Sequence, residues 1–315
     1  MKSHIHPKIS ILIPCYNHAA YIEKTIRSVW EQDYSNLELV IVDDGSTDNS
    51  CEIVSRLKAI SPIKMIFVVQ KNAGICRTLN HALELSSGEI IGILASDDVM
   101  LRDRLNQEIQ YFESEPLLKV LYSNGQFLKP DGRVFGDLHK HLKSSIKLGI
   151  IGIREHMLSK VEGFYTQAML IRRDFLLSLG KFDEETGSDD WSLNIRIFKV
   201  LKSEQEYVFL DRGAFLYRVH QTQSHRDSGY LQPIQRKVIR KYFSLKNRSK
   251  IICQNYVRQA FRLFFQRKFK LAKHYITMAG YIGFSKGFPL ACLMRFASDF
   301  PGFAYRELMR RLKTK

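Results

Sequence analysis

The sequence predicts an α/β fold: a mostly parallel, Rossmann-like sheet flanked by helices, followed by a basic helical C-terminal extension. Three observations predict it. Short β-branched runs alternate with helix-spaced apolar residues through the first hundred positions, the pattern of strands joined by crossover helices. Polar, acidic and glycine-bearing residues gather directly after each strand, where open parallel sheets bind ligands. The charge also breaks near residue 230. From there to the end stand 20 Lys and Arg against two acids, Asp299 and Glu307, leaving 28 basic and 30 acidic residues in the first 229.

The elements follow in order. Ile9–Ile13 reads as a buried strand, and Ile22, Ile26, Val29 and Trp30 mark a helix over 20–30. Leu37–Val42 is a second strand ending in the turn signal Asp43-Asp44-Gly45-Ser46. Ser46, Thr47 or Asp48 could cap the helix over 51–60. Met65–Val69 is a strand, Ile75–Leu85 a helix closed by Ser86-Ser87-Gly88, and Ile90–Leu94 a strand followed by Ser96-Asp97-Asp98. Beyond residue 100 the alternation loosens. Leu105–Phe112 reads as a helix, Val120–Tyr122 and Gln126–Leu128 as short strands around an Asp131-Gly132 turn, and 136–160 as a loop with a short helix. Ala168–Ile171 is a strand, Asp174–Leu179 and Trp191–Leu201 are helices, and Tyr207–Leu210 and Ala214–Val219 are closing strands. The catalytic domain is expected to span 1–229, with a nucleotide-binding half to about 100, and the helical region 230–315.

Composition narrows the class. A chain of 315 residues with 45% hydrophobic and 25% charged residues is globular rather than disordered, and it carries no repeat. The first apolar run is too short for a signal peptide, and Lys286 and Arg295 cut the longest C-terminal one below a membrane span. The cytosol is therefore the expected compartment. Five cysteines without a CxxC pair argue for free thiols rather than zinc or disulfides.

Four signals could carry chemistry. The adjacent carboxylates of Asp97 and Asp98 repel each other beyond a strand end, which a hard divalent cation would relieve; they would equally suit a helix start. Asp43 and Asp44 read first as a turn, with one carboxylate able to accept from a nucleobase or ribose. Gly74, after Asn72-Ala73, permits close backbone approach to a ligand. Asp189 and Asp190 before Trp191 read as a helix cap or as a general base beside an apolar wall.

In this order and spacing the motifs resemble the family 2 glycosyltransferases of GT-A fold, over roughly Lys8 to Ser224. The stretches that carry the resemblance are Ile9 to Asn17, Val42 to Asp48, Asn72-Ala73-Gly74, Ala95 to Asp98, Gly180 to Glu184, Asp189-Asp190-Trp191 and Tyr217 to His220. The resemblance implies an inverting transfer from a nucleotide-sugar, UDP being the commonest, to a glycan or lipid-linked acceptor of surface-polysaccharide type. It implies that Pro14, Tyr16, Asn17, Asp43, Asn72, Gly74 and Asp97 hold the donor. Asp98 and His220 would hold Mn²⁺ or Mg²⁺, Asp190 with its neighbour Asp189 would be the base, and Trp191 would line the acceptor pocket. Two departures stand out: Ala95 occupies a position where many members carry an acid, and Asp189 one where many carry Glu.

The basic, aromatic tail suits an anionic membrane surface, or else a helical cap packed on the catalytic domain with a solvated basic face, better than it suits nucleic acid. Two rival readings remain. A nucleic-acid-binding protein would leave the paired carboxylates unexplained, and a nucleotidyltransferase would want a glycine-rich phosphate loop near the first strand, which is not found.

Overall fold

The computed structural model describes residues 6–159, 163–220, 228–265, 267 and 273–279. The described residues divide into two compact units, with the change falling between Ile234 and Gln235.

In the first unit the chain runs β1 (Ile9–Cys15), α1 (Ile22–Trp30), β2 (Leu37–Asp43), α2 (Ser50–Ala59), β3 (Lys64–Val69), α3 (Ile75–Leu85) and β4 (Ile90–Ile93). It continues with β5 (Val99–Met100), α4 (Arg104–Ser114), β6 (Val120–Leu128), β7 (Val134–Phe135), α5 (Lys143–Ile146) and α6 (Gly149–Ser159). Then come β8 (Met169–Arg172), α7 (Arg173–Ser178), α8 (Trp191–Val200) and β9 (Tyr207–Arg218). α9 (Ser228–Tyr242) contains the change of unit, and α10 (Leu245–Phe265) and a helical stretch over 273–279 follow; the remainder of the basic tail lies outside the described residues. Among the described residues no helix is long and apolar enough to cross a membrane.

The strand order is β3-β2-β1-β4-β8-β6-β9-β5, with β7 paired to β6. The first four strands are parallel, and β8 is antiparallel to both β4 and β6. The chain leaves β1 toward β2 and returns to its other side at β4, so the crevice between the ends of β1 and β4 is a topological switch point.

The core explains the predicted pattern. β2 is buried along its whole length, as a strand covered on both faces must be. Ile22, Ile26 and Val29 of α1 are fully buried at helical spacing, each contributing roughly 1.5–3 kcal/mol. Glu38 in β2 is buried too, held by Ser10 Oγ, Lys8 and Lys64, and its carboxyl lies well below the usual range because those donors outweigh its burial.

Later elements depart from the sequence pattern in understandable ways. The two short strands expected at 120–128 are one strand, β6, with a register shift at Ser123–Gly125 against β9. The bulge breaks the alternation that sequence reading relies on. β9 is likewise continuous across the expected gap. The two-residue strands β5 and β7 are too short to have a period.

Candidate active site

Three strand ends build the site. After β1 the chain turns at Asn17, whose φ is 54°. The His18 carbonyl accepts from the Tyr21 and Ile22 amides, starting α1 without a side-chain cap. The His18 amide donates to Ser50 Oγ, and its ring Nδ1 lies 2.7 Å from Ser96 Oγ in the loop after β4.

That loop is anchored from below by α1. Thr25 Oγ1 donates to the Ser96 carbonyl at 3.0 Å and the Asp98 carbonyl at 2.7 Å, and Ser28 Oγ accepts from the Met100 amide. From the other side β9 delivers Arg218. Its amide donates to Asp98 Oδ1 at 2.9 Å, and its Nε to the Asp97 carbonyl at 2.7 Å. The Arg218 guanidinium lies over the Tyr21 ring, 5.2 Å from its centre. Two residues on, His220 Nε2 lies 2.8 Å from Asp97 Oδ2.

His18, Asp97 and His220 each offer one ligand atom, and these lie within 4.8 Å of one another. An anionic oxygen and two imidazole nitrogens at such spacing suit a divalent ion, so the residues fit the metal the resemblance implies. The expectation placed that ion on Asp98 and His220. The geometry pairs His220 with Asp97 instead. Both oxygens of Asp98 are taken, Oδ2 by Gln167 Nε2 at 3.0 Å, and the residue has no exposed surface. Burial and the Asp97 charge push the Asp98 carboxyl well above the usual carboxylate range. Burial disfavours the Asp97 charge as well, but the His220 hydrogen bond and the two imidazoles hold that carboxyl below its ordinary value.

The donor-side expectations fall into two groups. Tyr16 is 47% exposed at the crevice rim, beside exposed Asn17 and half-buried Pro14. Asn17 Oδ1 accepts from the Thr47 amide, joining the loops after β1 and β2. Asn72 is exposed, and Gly74, with φ of 88°, starts α3. Asp43, expected to meet the base, is fully buried with both oxygens receiving Ser46 donors. Asp44 is a clamp: it accepts from Gln70 Nε2 and from the Ala73 and Gly74 amides, at 2.8–2.9 Å. Asp43 thus meets the turn reading through Ser46, and Asp44 ties that turn to the loop before α3.

The second acidic pair opens α8. Asp190 Oδ1 accepts from the Trp191 amide and from Ser188 Oγ, so the capping reading is met by one oxygen. Among the described residues no other side chain donates to its Oδ2. Asp189 Oδ2 accepts from Thr166 Oγ1 at 3.0 Å. Burial and then the Asp190 charge raise the Asp189 carboxyl to about 7, and burial raises Asp190 also. Trp191, expected in an acceptor pocket, is only 5% exposed, and its indole N–H goes to the Met157 carbonyl. So buried, it offers little surface to an acceptor.

Sequence reading passed over His18, Thr166 and Gln167. His18 directly follows the quoted Tyr16-Asn17, so its place after a strand was the available signal. Thr166-Gln167 had none. This dipeptide reaches Asp189 with one side chain and Asp98 with the next, joining the two acidic pairs into one site. Burial first, then the charges of Tyr165, Asp98, Asp97 and Asp190, push the half-buried Tyr217 phenol well above its ordinary value.

Comparison with known proteins bears on the family and the fold. The family model described as glycosyl transferase family 2 matches residues 10–177. The chain is 36% identical over 115 residues to an uncharacterized glycosyltransferase of Nostoc sp., covering 36% of each chain. It is 34% identical over 137 residues to the chondroitin synthase of Pasteurella multocida, covering 43% of this chain and 14% of the synthase. The chain thus spans about a third or less of the length of these relatives. Staphylococcus aureus TarS 1–349 in complex with UDP-GlcNAc superposes with a TM-score of 0.57 at 18% identity, over 82% of this chain and 72% of TarS. The mannosyltransferase PcManGT of Pyrobaculum calidifontis, in complex with GDP-Man and Mn²⁺, gives 0.55 at 19%, over 97% and 84%. At these identities the likeness shows the fold, which is GT-A.

Proposed function

The chain belongs to glycosyl transferase family 2, and from that premise we propose that it moves a sugar from a nucleotide-sugar, a UDP-sugar by preference, onto an acceptor hydroxyl of a surface glycan or its lipid-linked precursor. The observation that carries this reading is the Thr166-Gln167 bridge. It ties the acidic loop after β4, proposed to hold the cation, to the buried carboxylate pair that opens α8. Chondroitin synthase and the poly-β-1,6-N-acetyl-D-glucosamine synthase of S. aureus among the relatives support the acceptor class, and the UDP-GlcNAc complex of TarS supports the donor.

Each residue then has a task. Asp97, with His220, would hold Mn²⁺ or Mg²⁺, which when bound supplies positive charge to the leaving diphosphate. Exposed Tyr16 and Asn17, and the loop 70–74 that Asp44 holds, would frame the nucleoside. Asp190 Oδ2 would take the proton of the attacking hydroxyl, a contribution of roughly 10²–10⁴-fold, with inversion at the anomeric carbon. The enzyme is proposed to act in the cytoplasm, with residues 230–315 attracted to anionic membrane by their excess of basic charge. Co-sedimentation with anionic vesicles would test that attraction, and no binding by the full chain would remove it.

The test of the function is thermal stabilisation by UDP, GDP and dTDP, each with and without Mn²⁺, followed by product analysis. Ligand bound only by the folded state must raise stability by mass action. A metal-dependent rise with one nucleotide, and release of a nucleoside diphosphate from its sugar conjugate, is the expected result. Release of pyrophosphate would overturn it in favour of nucleotidyl transfer.

A further inference from the structure

We propose that His18 is a third protein ligand of the divalent ion, and that the resulting set of two imidazoles and one carboxylate makes this site prefer a first-row transition ion to Mg²⁺. The inference rests on the metal-dependent reading of the site and deepens it.

Oxygen ligands are scarce here. Ala95 stands at the start of the acidic loop, and Asp98 spends both oxygens on Arg218 and Gln167. Asp97 is left as the one carboxylate of the cluster, with His220 and His18. His220 Nε2 and Asp97 Oδ2 stand 2.8 Å apart, close to the ~3 Å between adjacent ligands on an ion with bonds of about 2.1 Å. An ion would take the place of the shared proton.

His18 is held for such a task from three directions. Its carbonyl starts α1, its amide is fixed by Ser50, and its ring is oriented through Nδ1 by Ser96, the outer partner a metal-binding imidazole generally has. Its ring meets that of His220 edge-on, with centres 5.8 Å apart. The two imidazoles come from opposite sides of the crevice, one after β1 and one after β9, with Asp97 after β4 between them. Mg²⁺ favours carboxylate and water oxygen and gives up its water reluctantly, whereas imidazole nitrogen suits the later divalent ions. A ligand set two-thirds nitrogen is therefore a filter against the commoner ion.

The test uses the full chain freed of metal and titrated with MnCl₂, alone and against MgCl₂. Pulsed electron paramagnetic resonance of the bound Mn²⁺ counts its nitrogen ligands. Two nitrogen couplings are expected in the parent and one in His18→Gln, with Mn²⁺ affinity lower by at least about tenfold and the preference over Mg²⁺ reduced by a similar factor. His18→Asp, which returns an oxygen ligand, should bind Mg²⁺ more tightly than the parent does. Metal-free melting of each variant checks that it folds. One coupling in the parent, or an unchanged count and preference in His18→Gln, overturns the proposal. If Asp97→Asn and His220→Gln lose Mn²⁺ while His18→Gln does not, only His18 is misassigned. If all three bind as the parent does, the metal reading of the site fails with it.

Discussion

Asp97 and Asp98 are adjacent in sequence and opposite in environment: one carboxylate faces two imidazoles, the other is sealed beneath the loop by Gln167 and the Arg218 amide. A motif of two acids thus divides into an ion-facing member and a scaffolding member. Asp97→Asn should weaken Mn²⁺ binding by roughly 10–100-fold with little loss of stability. Asp98→Ala should keep most of that binding but strand two buried donors, at about 1–3 kcal/mol each. Calorimetric titration and denaturant melts of the two variants check this.

Asp190→Asn should retain donor binding and lose transfer by roughly 10²–10⁴-fold, because the amide keeps an acceptor for the Trp191 amide but cannot take a proton. Nucleotide affinity and single-turnover rates measured on one preparation separate the two effects. Undiminished transfer would place the base elsewhere.

Asp189 makes a signed prediction about pH. Its carboxyl titrates near 7 in the folded chain, above its unfolded value near 4. The folded state therefore holds a proton that the unfolded state has released, and stability falls as pH rises between those values. Asp189→Asn removes that penalty and still accepts from Thr166. Its Tm should match the parent's near pH 4 and exceed it above pH 7, by roughly 2–4 °C per kcal/mol recovered. Equal Tm differences at both pH values would contradict the assignment.

Asp44→Ala removes three hydrogen bonds that hold residues 70–74. A loss of about 2–4 kcal/mol is expected, together with weaker nucleotide binding, read by chemical denaturation and by thermal shift. Gly74→Ala should cost about 1–3 kcal/mol, all of it from the positive-φ extended backbone (φ 88°, ψ 160°), since an added Cβ would meet nothing within 4 Å.

Much of this was legible beforehand. The parallel half announced itself because β1, β2 and β4 are buried almost throughout, leaving apolar runs such as Leu39–Val42. The ligand-binding ends followed from topology alone. What stayed hidden depends on pairings across long separations. Nothing local in Thr166-Gln167 says that it faces Asp98 and Asp189, and nothing local in Asp44 says that it clamps residues 70–74. Trp191 misled for a related reason, because an aromatic at a helix start reads the same whether it lines a pocket or packs beneath one.

The contact between His220 and Asp97 closes a loop of 123 positions, and its consequence is one of timing. Contacts of such separation form late in folding, after the loop's entropy has been spent. The parallel half, β1 to β4, pairs over separations of at most 81 positions, as between Ile9 and Ile90, and can be complete while β9 is still unplaced. Metal capture would then be among the last events of assembly, so an emerging chain could dock its first four strands in the cell without yet competing for the ions around it.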